Sequence, residues 1–208
     1  MIIDLNNAVT LISSFSPKQT EALLVKRGVE KKALSINSYL QNLVTDSLPV
    51  ELSHYITNVC PTNGLTVEAV GHSVELLKDS QLTLQPSMYA ELTGELAKWQ
   101  DNWLLIAHEG GDPIIVKTTE QGEFSPVYSA MQGMGFWDFA PIADSIGQFL
   151  VCICAIEHAL NFPGLDQPLD DDFNLAPAAA NWLFPFLRKH AGSYYDEWAS
   201  VFENYQLG

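Results

Sequence analysis

The spacing of apolar and polar residues changes along the chain, and each change predicts a different kind of element. In "LPVELSHYITNV", Leu52, Tyr55, Ile56 and Val59 recur at i, i+3, i+4 and i+7, the stripe of a helix that buries one face. Upstream, the first 45 residues read as helical. "FSPKQTEALLVKRG" sets Ser16 before Pro17, with Gln19 behind it and Gly28 as a stop, and "KKALSINSYLQNLV" carries Leu40, Leu43 and Val44 on one face. After Gly64 the period drops to two, because "LTVEAV" alternates as a half-buried strand does. The stretch "SQLTLQPSMYAELTGELAKW" is mixed. "WLLIAH" and "PIIVKT" are apolar runs on either side of Gly-Gly-Asp-Pro, and "SPVYSAM" follows, so short turns join these strands into an antiparallel meander that ends at "QGMGFWDFAPIADS". The helical period then returns. "DSIGQFLVCICAIEHALNF" is a long apolar helix that opens on a capping box of Ser145 and Gln148. A Pro-containing connector, "PGLDQPLDDDFNLAP", leads to further helices. One is interrupted at Pro185, and the last keeps Tyr195, Trp198, Phe202 and Tyr205 on one stripe.

Strands grouped between helices predict an α+β fold. At 208 residues the chain can bury one sizeable core, so one domain over 1–208 is expected. Its parts are a helical N-terminal extension (1–45), a core (46–162) and a C-terminal helical addition (163–208). The N-terminus lacks the early Lys or Arg of a secretory signal, and no stretch approaches the roughly 18 apolar residues of a membrane span. Cys60, Cys152 and Cys154 make an odd set in apolar surroundings, so a reduced, cytoplasmic protein is expected.

Charge narrows the choice of partners. The formal net charge is -15, and no Lys or Arg occurs between Lys117 and Arg188, an interval that holds nine acids. Such a surface lacks the cations that neutralise phosphate and is repelled by anionic membranes, so neither nucleic acid nor membrane is an expected partner. A basic protein would be attracted.

Residues that suggest catalysis read better as structure. Phosphate loops turn from glycines into a helix, whereas "HEGGDP" leads through Pro113 into a strand and carries an acid, so it predicts a hairpin turn. On a strand, His108 and Glu109 point to opposite faces, which separates two of the ligands of a His108, Glu109, Asp112 metal site. Cys152 and Cys154, two apart on a helix, project about 200° from each other. The Asp170–Asp172 run lacks the central Gly and closing Glu of a calcium loop. No G-x-S-x-G elbow is present, and the five histidines each stand alone.

The run from Trp103 to Leu150, with the earlier "LPVELSHYI", resembles the SMI1/KNR4 or SUKH superfamily. The resemblance lies in an ordered set: Leu48, Pro49 and Tyr55 of "LP-x-x-L-x-x-Y", the Trp103 strand ending at Gly110, Gly111 and Asp112, then Pro126, Val127 and Tyr128, Trp137, and "IADS…FL" with Ala143, Ser145 and Phe149. It covers about residues 46–152. It implies a mixed or antiparallel sheet of about five or six strands packed against helices, here with extra helices at both ends, and no cofactor or metal. Many bacterial members are immunity proteins that neutralise a polymorphic toxin, often a nuclease or deaminase, by binding it. Others are regulatory or scaffolding modules.

The expectation is therefore a non-enzymatic immunity-type protein, monomeric or weakly dimeric, that binds a basic cognate toxin stoichiometrically through an acidic surface. The candidate contact residues are Asp112, Glu120, Glu123 and Asp138, with Tyr128 and Trp137 as exposed aromatics. The alternatives are a regulatory or scaffolding module without a toxin, and a hydrolase or small-ligand binder with its site between sheet and C-terminal helices.

Overall fold

The computed structural model describes residues 2–24, 48–84, 86–89, 98–120, 122–131 and 136–207. The helix expected around 31–44 lies outside them. Asp4 caps α1 (Leu5–Phe15), accepting from the N–H groups of Asn6 and Asn7, and Leu5, Ala8, Val9 and Ile12 form its buried stripe. A short α2 follows (Pro17–Leu24). α3 (Val50–His54) continues through a π turn at Tyr55–Val59, and Leu52, Tyr55, Ile56 and Val59 are all buried, as their spacing predicts.

Among the described residues the sheet is wholly antiparallel, six strands in chain order: β1 (Leu65–Glu68), β2 (Ser73–Leu76), β3 (Trp103–Glu109), β4 (Asp112–Lys117), β5 (Val127–Ser129) and β6 (Ala140–Ala143). The fold is α+β. The sheet ends within "QGMGFWDFAPIADS", where the strand β6, not assigned from the sequence, pairs with β5. Pro141 is tolerated there since β6 is an edge strand, and the Trp198 indole N–H covers that edge by donating to Ile142 O at 2.9 Å. "HEGGDP" is a hairpin turn: Glu109 pairs with Asp112, and Gly110 (φ 57°) and Gly111 (φ 101°) supply the left-handed backbone of a two-residue turn.

Helices cover one face of this sheet. α4 (Ile146–Leu160) is buried along most of its length and lies between α1 and α5 (Pro177–His190). Ser145 Oγ accepts from Gln148 N at 2.9 Å, and Gln148 Oε1 reaches back to Asp144 N at 2.6 Å, so the predicted capping box forms with its return bond displaced by one residue. α5 is not interrupted at Pro185. Leu183, Phe184 and Leu187 are buried on either side of it, while Pro185 itself is exposed and frees a carbonyl only on the outer face. α6 (Tyr195–Ala199) follows, and Trp198 and Phe202 enter the core.

The other sheet face carries a second cluster. Tyr89, Leu105, Ile115, Ala130 and Trp137 are buried there, with Trp99, Trp103, Tyr128 and Phe139 half-buried around them. Trp99 stacks on Tyr89 with ring centroids 5.3 Å apart, and Trp103 meets Phe139 edge-on at 4.6 Å. Among the described residues no helix is long and apolar enough to cross a membrane.

Candidate functional site

A bulge decides where the end of β3 points. The β3–β4 register shifts between Leu105 and Ala107, so Ile106 is an extra residue. Strict alternation from Trp103 would put Glu109 on the aromatic face and His108 among the helices. The extra residue reverses both, and His108 meets Tyr89 on the aromatic side while Glu109 turns toward the helices.

There Glu109 lines a cleft of about 200 Å³ at one end of the sheet. Its floor is Val74 and Ile142 on the strands with Ile153 and Ile156 on α4, and Trp198 and Val201 form the C-terminal wall. Among the described residues the polar groups are Glu68, His72, Glu109, Ser129 and Glu197, with no Lys or Arg. His72 Nε2 lies 2.9 Å from Glu109 Oε1, and Glu68 Oε2 accepts from Asn161 Nδ2 at 2.7 Å. Glu197 is exposed and has no hydrogen-bond or ion-pair partner among the described residues. Ser129, His72 and Glu109 share this cleft, but no hydrogen bond joins Ser129 to His72. Glu109 reads from β3 and Ser129 from β5, with β4 between them. The arrangement is an apolar slot with an acidic rim.

Across the sheet, the Tyr89 hydroxyl donates to Gly111 O at 2.8 Å and lies 2.9 Å from His108 Nδ1. With its proton on the carbonyl, the hydroxyl is left to accept from Nδ1–H, which assigns that tautomer to His108. Burial, and after it the charge of Asp112, raises the Tyr89 pKa to about 12. Burial also lowers that of His108, with Glu75 opposing. Both groups are therefore neutral near pH 7, and together they pin the β3–β4 hairpin.

The residues expected to contact a partner differ in exposure and in their contacts within the chain. Asp112 opens β4 and is half-buried, whereas Glu123 and Asp138 are exposed. Glu120 accepts from the Tyr128 hydroxyl and has Lys117 Nζ at 3.9 Å, and Lys117 also lies 3.8 Å from the centre of the Tyr128 ring. Trp137, expected as an exposed aromatic, is only 9% exposed and packs edge-on against Tyr89 and Trp99. The reason is the aromatic face, which needs a large ring to close it.

Of the residues that carry the resemblance, Pro49, Tyr55, Ala143, Ser145 and Phe149 are buried, Leu48, Trp103 and Pro126 are half-buried, and Gly110 and Gly111 form the turn. Glu51 does not stand out in the sequence, yet the residue is 5% exposed and its carboxylate accepts from the N–H groups of Ser125, Ile146 and Gly147 at 2.7, 3.3 and 3.1 Å. The cleft residues Glu68, His72 and Glu197 were also missed. They come from different elements, and each alone reads as ordinary surface. Among the described residues no three His, Cys, Asp or Glu side chains converge as metal ligands.

No family model matches the chain, and neither a curated protein nor a solved structure matches it.

Proposed function

We propose that this is a non-enzymatic binding protein of the SUKH type, acting as an immunity protein that neutralises a basic cognate toxin by stoichiometric binding. The observation that carries the reading is the one-signed stretch from 118 to 187. It contributes β5, β6, α4 and most of α5, and it contains nine acids and no Lys or Arg. For a basic nuclease or deaminase, such a surface imitates the phosphate charge of the substrate and speeds encounter.

The reading predicts a strong salt dependence. Association with the catalytic domain of a toxin encoded beside this protein should slow by about tenfold or more between about 50 mM and about 500 mM salt, as the Debye length shrinks. Reversing the charge at Glu123 or Asp138 should slow it further. A rate that is flat across that range would remove the electrostatic basis of the proposal.

A further inference from the structure

We infer that the cleft between β2, α4 and α6 is a socket for one arginine side chain of the basic partner, an inference that rests on the binding reading above and gives it a location. Cavities that hold drug-sized ligands span roughly 300–1,000 Å³. At about 200 Å³ this one fits a single long side chain better than a cofactor or metabolite.

Its chemistry is graded along its depth. The apolar floor of Val74, Ile153 and Ile156 suits the methylene stem, and the Trp198 indole lines one wall. The charged head would meet Glu109 and Glu197, and no Lys or Arg stands among the described lining residues. Glu109 is held by His72 and Glu68 by Asn161, so part of the rim is oriented before a partner arrives. Glu197 is the uncommitted carboxylate. Arginine fits better than lysine because its planar fork engages a carboxylate through parallel bonds and is more weakly hydrated, so less is lost on entering an apolar slot.

The inference can be tested on the full chain by NMR, with the capped tripeptide Ac-Leu-Arg-Val-NH2 and its citrulline counterpart, which keeps the shape and loses the charge. The arginine peptide should shift the methyl signals of Val74, Ile153 and Ile156 and the Trp198 indole. The citrulline peptide should bind about tenfold more weakly, the cost of about one charge-assisted bond. Glu197→Gln should weaken the arginine peptide about fivefold, whereas Glu21→Gln on the exposed side of α2 should not. Equal affinity for both peptides, shifts that map elsewhere, or no shifts at millimolar peptide would overturn the socket. A toxin complex indifferent to Glu197→Gln would also sink the socket while leaving the binding function intact. Arginine binding in the cleft with no toxin complex would do the reverse.

Discussion

Replacing Glu51 should destabilise the protein more than any surface acid. α4 opens with Ile146, Gly147 and Gln148, whose N–H groups have no carbonyl one turn earlier. Ser145 Oγ satisfies Gln148 at 2.9 Å, and the Glu51 carboxylate satisfies the other two at 3.3 and 3.1 Å while also holding Ser125 N at 2.7 Å. Removing the carboxylate strands three buried donors, at about 1–3 kcal/mol each, so about 9 kcal/mol is a ceiling. Water entering the vacated space would recover part of this. The expectation for Glu51→Ala is a loss of about 3–5 kcal/mol, as when one partner of a buried charged contact is removed. Glu51→Gln keeps one acceptor oxygen but turns its NH2 toward a donor, and should lose about 2–3 kcal/mol. Urea unfolding followed by the fluorescence of the five Trp reads both. At about 2–4 °C per kcal/mol for a chain of this size, the Ala variant should melt about 6–20 °C lower. A loss below about 1 kcal/mol for Ala would refute the assignment of Glu51 as the cap of α4. The pH dependence is a second check. Burial raises the Glu51 pKa, with the three N–H groups pulling it back only in part. A carboxyl raised in the folded state contributes stability below its unfolded pKa and loses it as pH rises through the folded value. The advantage of wild type over Glu51→Gln should therefore narrow as pH rises above the ordinary glutamate range, and a widening would contradict this.

Other substitutions report on neighbouring contacts. Gly147→Ala should destabilise, although alanine in a helix is ordinarily favoured over glycine by about 1 kcal/mol. The added Cβ would collide with Ile3 O and come within 2.9 Å of Asp4 C, so a raised melting temperature would show that the backbone leading into α1 does not press on α4 there. Tyr89→Phe should lose about 1 kcal/mol in urea unfolding by removing the hydrogen bonds to Gly111 O and His108 Nδ1, and no change would mean that the hairpin is not pinned from that face. Cys60, Cys152 and Cys154 are buried, and burial holds the thiols of Cys152 and Cys154 far above the ordinary range, so a thiol reagent should react only as fast as the protein opens. Rapid stoichiometric reaction of the native protein would contradict the packing of α4.

Short-range patterns carried much of this fold in the sequence. The stripe of Leu52 to Val59, the Gly110-Gly111 turn, the Ser145 cap and the burial of α4 all depend on residues within a few positions of one another, which is why spacing reveals them. β6 was hidden because "APIA" holds a proline and is too short to show a period. Its pairing depends on β5 and on the Trp198 indole, 56 positions away from Ile142. Pro185 misled because the rule for proline weighs the lost hydrogen bond, whereas buried neighbours on both sides fix the helix. Trp137 misled because a single aromatic carries no sign of which cluster receives it. The cleft was the least legible part. It needs a bulge to aim Glu109, a partner 37 positions away in His72, and Glu197 from the C-terminal helices, none of which leaves a local signal.

If this chain is an immunity protein, it should protect living cells from its toxin. The catalytic domain of the toxin encoded beside this protein would be induced with and without the full chain, and survival counted together with the complex recovered by gel filtration at moderate salt. Toxin-induced cells should survive only when the full chain is expressed with the toxin, and an equimolar complex should be recovered. Cells that die equally fast in both cultures, with the two proteins eluting apart, would contradict it.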